Sequence, residues 1–112
     1  CSQTWDYLYI EDLCKCLEKI INADYFLNGT NSNIYNLCSD KPILLKKIVN
    51  MIFQEINPVT AIPLFGELPY RENQQFYLHG NNTKICKDFS WSPEVKIDSG
   101  LHMTIKYLRE TL

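Results

Sequence analysis

Apolar residues recur along the chain with two different periods. Four stretches place them every three or four positions, which predicts amphipathic helices. These helices run from a cap at Asp12 to Ala23, from Leu44 to Glu55, from Thr83 to Phe89, and from a cap at Asp98 or Ser99 towards Leu112. Four shorter runs are rich in β-branched and aromatic residues and predict strands. These runs are Trp5 to Ile10, Ile34 to Cys38, Thr60 to Phe65 and Phe76 to His79. Because strands and helices alternate, the predicted fold class is α/β with short strands and about four helices.

The stretch from Phe65 to Lys84 holds most of the candidate chemistry. A polar loop follows its first residues, and Arg71 stands there beside Tyr70 and among several amide side chains. A guanidinium group binds phosphate oxygens through two parallel hydrogen bonds, so an exposed Arg in this setting suits an oxyanion on a polar ligand. The alternative is a surface loop in which this Arg pairs with Glu67 or Glu72.

Length, charge and hydropathy narrow the classes of function. A chain of 112 residues is one small domain, and its net charge of -2 without a cluster of basic residues argues against nucleic acid as the main partner. We find neither a signal peptide nor a run of about 18 apolar residues, so we expect no membrane contact and a cytoplasmic location. The chain begins at Cys1 without a methionine, which predicts a partial chain.

The five cysteines are an odd number and show no disulfide-like spacing. Cys14 and Cys16 lie two positions apart on a predicted helix, where their side chains diverge by about 200° and make a poor metal pair. The two histidines are distant from them in sequence. We therefore expect reduced cysteines, acting as small apolar residues, and no metal site.

Two early segments resemble motifs of a known superfamily. The residues WDYLYIEDL at 5–13 are similar to the R-D-[FWY]-x-[YH]-V-x-D-[VL] segment of the extended short-chain dehydrogenases/reductases, which include nucleotide-sugar epimerases, dehydratases and reductases. The residues IYNLCS at 34–39 resemble the later Y-N-[IL]-G-[SG] strand of that superfamily.

The rest of the chain continues the resemblance in the same order. FGELPYR at 65–71, NTK at 82–84 and FSWSP at 89–93 are similar to the R-P-G-[DH] … D-x-[ST]-K … L-G-W-x-P ending, and 98–107 resembles the last E-E-G-[LI] helix. The sequences of these motifs are most similar to those of the CDP- or dTDP-linked deoxysugar 4-keto reductases and epimerases. The resemblance covers nearly all 112 residues.

The resemblance implies that the chain is the C-terminal, sugar-nucleotide-binding portion of such an enzyme. Residues 1–38 would contact the Rossmann domain, and 39–112 would form the small substrate domain. The superfamily's glycine-rich loop and its Y-x-x-x-K pair do not occur in this sequence. The resemblance therefore implies NAD or NADP in the whole enzyme, but no cofactor site, no catalytic residue and no activity in this chain alone. A stand-alone, non-catalytic module that binds a nucleotide diphosphate, or an assembly module, is the alternative.

The resemblance also assigns candidate substrate-binding residues for a nucleotide-diphosphate sugar. Counted back from Lys84, Arg71 matches the position of the superfamily Arg that pairs with the diphosphate, with Tyr70 beside it. Gln74 falls where relatives place Asp or His near the ribose. Trp5 departs from the pattern, because many relatives have a second phosphate-binding Arg there; an indole can stack on a ring or pack at the start of a strand. We expect self-association through the surfaces that the missing domain would cover.

Overall fold

The computed structural model describes residues 1–23 and 34–112. Four α-helices lie in this part of the chain: α1 (Ile10–Asn22), α2 (Leu45–Ile56), α3 (Thr83–Phe89) and α4 (Ile97–Thr111). Three strands of two residues each accompany them: β1 (Thr4–Trp5), β2 (Ile43–Leu44) and β3 (Tyr77–Leu78). The predicted α/β class with about four helices is confirmed.

Strand β1 lies in the middle of a small mixed sheet whose order is β2-β1-β3. It pairs antiparallel with β2 and parallel with β3. Two backbone bonds extend this pairing, because the Thr4 amide donates to the Phe76 carbonyl at 2.7 Å and the Leu45 amide donates to the Gln3 carbonyl at 2.8 Å. A short segment at the start of the chain thereby holds together two regions that lie about 40 and 70 positions further on.

Helix α1 packs against α3 around a small buried core. That core contains Cys16, Ile85, Phe89 and Trp91. The indole N–H of Trp91 donates to the backbone carbonyl of Asp12 at 3.0 Å. The spacing of apolar residues along each helix thus buries one face of α1 and one face of α3 against each other.

Asp12 is fully buried and connects α1 to the loop that precedes α4. Its Oδ2 accepts hydrogen bonds from the backbone amides of Glu94 at 3.1 Å and Val95 at 2.9 Å. The expectation that this side chain caps its own helix is wrong: α1 begins two residues earlier, at Ile10, and its N-cap residue Tyr9 makes no side-chain cap bond. The loop amides donate to the carboxylate instead, and without it they would be partly buried without a partner.

Helices α2 and α4 pack side by side at the other end of the molecule. Helix α2 ends at Ile56, and its C-cap residue Asn57 has a left-handed φ of 48° and an amide that donates to the Phe53 carbonyl. Arg109 of α4 donates to the backbone carbonyls of Glu55 and Ile56, at 3.2 and 3.4 Å. The last carbonyls of α2 are thereby satisfied by a cationic side chain, which also suits the negative end of the helix dipole.

The strand predictions are less accurate than the helix predictions. Only the start of the predicted 5–10 strand and the middle of the predicted 76–79 strand are paired, and the predicted strands at 34–38 and 60–65 are wrong. A strand needs a neighbouring strand to pair with, and neither segment has one among the described residues. The predicted cap of α4 is also wrong, because the helix begins at Ile97 after Lys96, and Asp98 bonds the amide of the adjacent Ser99.

The molecule exposes more surface than a compact domain of its mass. Its accessible area is 8768 Å², whereas a folded monomer of this mass exposes about 6,400 Å². Its radius of gyration is 17.6 Å, against about 13 Å for a compact chain of this length. Large apolar side chains on α1 and in the 56–70 segment are correspondingly open, with Ile21 77% and Val59 100% exposed.

The five cysteines are unpaired and range from exposed Cys14 to buried Cys16 and Cys38. Burial raises the pKa of the Cys16, Cys38 and Cys86 thiols, which keeps them protonated. Within residues 1–23 and 34–112, no cluster of potential ligands has the geometry of a metal site, and no helix has the length and apolar character needed to cross a bilayer.

The Asp12 contacts predict a large loss of stability when the Asp12 side chain is removed. Replacing Asp12 with Ala leaves two backbone amides without their charged acceptor, and we expect the free energy of unfolding to fall by about 2–4 kcal/mol. Urea unfolding measures this. Glu11→Ala, an exposed neighbour in the same helical turn, is the control and should change stability by less than about 0.5 kcal/mol. Equal effects of the two substitutions would contradict the structural role of Asp12.

Candidate functional site

The four substrate-binding candidates, Trp5, Tyr70, Arg71 and Gln74, lie around the loop that leads into β3. Strand β1 carries Trp5 next to that loop, and the Trp5 indole N–H donates to the Gln75 carbonyl at 3.1 Å. Gln75 directly follows Gln74, so the sheet brings the start of the chain into contact with a loop about 70 residues away. The sequence did not indicate this bond, because no local pattern links the two segments.

A tight turn presents Arg71 at the tip of the loop. The Gln74 amide donates to the Arg71 carbonyl at 3.2 Å, and Asn73 has a φ of 61°. Asn tolerates the left-handed conformation better than other side chains with a Cβ, because its short amide bonds locally. Asn73 therefore suits the left-handed backbone conformation that this turn requires.

The Arg71 side chain is exposed and makes no ion pair within the described part of the chain. The alternative in which it pairs with Glu67 or Glu72 does not occur there. A guanidinium without an acidic partner keeps its donors available to an external anion. This is the strongest chemical feature of the site.

Two aromatic rings support the base of the turn. Tyr70 and Phe76 meet edge to face, with ring centroids 4.8 Å apart. The Tyr70 hydroxyl contacts the Cys1 amine at 2.9 Å, the Ser2 amide at 3.0 Å and the Ser2 Oγ at 2.7 Å.

Gln74 is half-buried, and its side-chain amide donates to the Gln75 carbonyl at 3.1 Å. Its Nε2 is thus partly engaged by the loop itself, while its Oε1 remains an acceptor. The candidate residues together offer one unpaired cation, one indole, one phenol and one amide. Such a set can bind a phosphate through the guanidinium and hydrogen-bond or stack on an attached ring.

His79, which directly follows β3, has an acidic partner. His79 Nε2 lies 2.5 Å from Asp40 Oδ1, and the Tyr77 hydroxyl lies 3.5 Å from His79 Nδ1. Asp40 has a φ of 59°, in the left-handed region. The contact joins the end of β3 to the loop that follows Cys38, and it contains no residue of the Arg71 turn.

Solved structures with the same fold were found, whereas no family model and no curated protein matches the sequence. The UDP-glucose 4-epimerase of Thermotoga maritima with UDP-glucose superposes with a TM-score of 0.77 at 19% identity, over 95% of this chain and 31% of that one. RMD from Pseudomonas aeruginosa with NADPH gives 0.76 at 15% identity, over 96% and 33%. WbmF from Bordetella bronchiseptica with NAD⁺ and UDP gives 0.73 at 24% identity, over 98% and 30%.

These superpositions define the class of fold. Within residues 1–23 and 34–112 the chain is a small α/β unit of four helices and a three-stranded mixed sheet, and its fold matches about a third of each of these solved structures. It spans about a third of the length of each solved structure that it matches. The fold expected from the sequence motifs is confirmed, and the family stays a prediction.

The turn predicts that residue 73 needs a left-handed backbone. Asn73→Gly should retain stability, whereas Asn73→Ala should be about 1 kcal/mol less stable than the Gly variant, because a Cβ without a local hydrogen bond strains this conformation. Urea unfolding of both variants tests this. Glu72→Ala, one position earlier, is the control and should stay near the parent. An Ala variant as stable as the Gly variant would contradict the turn geometry.

Proposed function

We propose that this chain is the substrate-binding portion of an NAD- or NADP-dependent nucleotide-sugar epimerase, dehydratase or reductase, and that it is inactive alone. The substrate class is a nucleotide-diphosphate sugar. The sequences of the motifs favour the CDP- or dTDP-linked 4-keto reductase and epimerase branch. The observation that carries this proposal is the exposed guanidinium of Arg71, which forms no ion pair among the described residues. It belongs to the loop whose Gln75 carbonyl accepts the Trp5 indole N–H, in a fold that is also seen in nucleotide-sugar enzymes.

In this proposal each residue of the site has a distinct task. Arg71 binds the diphosphate through its planar fork. Trp5 and Tyr70 present ring faces or edges to the base or the sugar, and Gln74 offers an amide oxygen to ribose hydroxyls. Because Trp5 carries no charge, Arg71 would supply the fixed positive charge at this end of the sheet.

The redox chemistry belongs, in this proposal, to a Rossmann domain outside these 112 residues. The sequence has neither a glycine-rich dinucleotide loop nor a Tyr followed four positions later by Lys. A nicotinamide in that domain would exchange a hydride with the sugar, and residues 1–38 would contact the domain while 39–112 form the substrate portion. We place the whole enzyme in the cytoplasm.

A free-standing module that binds a nucleotide diphosphate without catalysis, or serves in assembly, is the second candidate. It is favoured by one observation: all four candidate residues are supplied by this chain, so binding needs no second domain. The coding region separates the two candidates. A reading frame about 200 residues longer upstream, with the glycine loop and the Y-x-x-x-K pair, supports the enzyme, and a start codon immediately before Cys1 supports the module.

Arg71→Ala should weaken the binding of UDP, dTDP or CDP about tenfold or more, because hydrogen bonds between charged groups contribute roughly 1.5–3 kcal/mol. Calorimetry with the parent and the variant measures this, and Arg71→Lys should fall between them because it keeps the charge but loses the fork. Lys106→Ala, an exposed position on α4, is the control. Unchanged nucleotide affinity in Arg71→Ala would remove this residue from the site.

We further propose that the chain alone associates with a second copy through α1. Its outer face carries apolar side chains at 10, 14, 17 and 21, a spacing of four, three and four residues, and Ile10, Leu17 and Ile21 are 60%, 45% and 77% exposed. That spacing forms the apolar seam that helices use to pair. In the whole enzyme the same face would lie against the Rossmann domain.

Sedimentation equilibrium should therefore show a concentration-dependent dimer for the parent chain. The double variant Leu17→Lys/Ile21→Lys should be monomeric, because charges on the seam oppose its burial. Val59→Lys changes a fully exposed apolar residue away from α1 and should leave the dimer intact. A parent chain that stays monomeric up to high concentration, or a double variant that still dimerises, would contradict this proposal.

A further inference from the structure

A cavity of about 630 Å³ lies at the ends of α2 and α4, away from the Arg71 turn. Its apolar wall includes the Tyr7 ring, Ile43, Met51, Val95 and Ile97. A volume of this size is typical of sites for small organic ligands, which bury an apolar body against such a wall. None of the residues that line it belongs to the Arg71 turn.

Three lysines, Lys41, Lys47 and Lys96, line the same cavity. Within the part of the chain that the structure describes, none of them forms an ion pair. Three cations without acidic partners around one cavity make its interior attractive to an anion.

The two acidic residues of the cavity do not cancel this charge. Glu94 is paired with Lys15, at 2.9 Å. Asp98 remains as one negative charge, and its Oδ1 accepts the Ser99 amide at 2.9 Å. Three lysine charges against one carboxylate leave a net charge of about two positive units, which matches a phosphate dianion better than a carboxylate.

Two further features of the cavity wall also favour the binding of an anion. Helices α2 and α4 begin at the cavity, and neither N-cap residue, Leu44 or Lys96, makes a side-chain cap bond, so their positive ends add to the potential. The Tyr7 hydroxyl is buried and has no hydrogen-bond partner among the described residues. Burial raises the pKa of Tyr7, so the hydroxyl stays a donor at neutral pH.

We propose that this cavity is a second ligand site, which binds a small organic phosphate with its phosphate group among Lys41, Lys47 and Lys96 and its apolar body on the Tyr7 wall. The site is independent of the nucleotide-sugar proposal, because the two sets of residues do not overlap.

Four small molecules distinguish the contribution of the phosphate group to binding from that of the apolar ring. Phenyl phosphate carries both the dianion and the ring, inorganic phosphate the dianion alone, phenol the ring alone, and benzoate the ring with a single charge. Titration followed by NMR should show saturable shifts of the cavity amides of Ile43, Val95 and Ile97 with phenyl phosphate. We expect inorganic phosphate and benzoate to bind at least fivefold more weakly and phenol not to saturate. Equal affinity for phenyl phosphate and inorganic phosphate, or for phenyl phosphate and benzoate, would overturn the proposal.

Variants locate the binding. The double variant Lys47→Gln/Lys96→Gln should weaken phenyl phosphate about tenfold, and raising the salt concentration should weaken it in the parent. Lys87→Gln, an exposed lysine on α3, and Arg71→Ala should both leave its affinity unchanged. The changed lysines are exposed, and a well-dispersed spectrum verifies folding. Binding that survives in the double variant, or that is lost in Arg71→Ala, would contradict the site.

Discussion

The structure depends on the backbone hydrogen bonds of the segment 3–5. Gln3, Thr4 and Trp5 bond on one side to the beginning of α2 and on the other side to the residues that enter β3. Each strand is only two residues long. The sheet therefore has few backbone hydrogen bonds, and its stability depends on each of them. Without this segment the Arg71 turn would have no fixed position relative to the rest of the molecule.

A second contact makes the two ends of the molecule a single framework. Asp12 bonds the loop before α4 through its carboxylate, and it accepts the Trp91 indole through its carbonyl. A buried carboxylate is tolerated here because it accepts two backbone amides. The framework nevertheless leaves much apolar surface open.

The sequence predicted the helices well because their signal is local. The bounds of α3 match the prediction at both ends, and α2 is displaced by a single residue, since each apolar stripe repeats within the helix itself. Strands were predicted poorly at 34–38 and 60–65, because β-branched runs show propensity but not the partner that a strand requires. Asp12 was read as a cap for the same reason: its true partners lie more than 80 residues away.

In the candidate site, too, the local features could be predicted from the sequence and the contacts between distant segments could not. Arg71 could be selected from the sequence, because a guanidinium among aromatic and amide residues has a recognisable chemistry and its position matched a motif. The bond from Trp5 to Gln75 and the pairing of His79 with Asp40 were invisible, since both connect segments that are distant along the chain. The open cavity with its three lysines likewise arises only when β2, α2 and the loop before α4 come together.

The NMR signals of the two indole N–H groups during titration with UDP test the central claim most directly. Trp5 lies beside the Arg71 turn, whereas Trp91 is buried against Asp12 and serves as an internal reference. The account predicts that the Trp5 signal shifts saturably with UDP and much less with uridine, which lacks the phosphates, while the Trp91 signal stays in place. A Trp5 signal that does not move, or that moves equally with uridine, would contradict it.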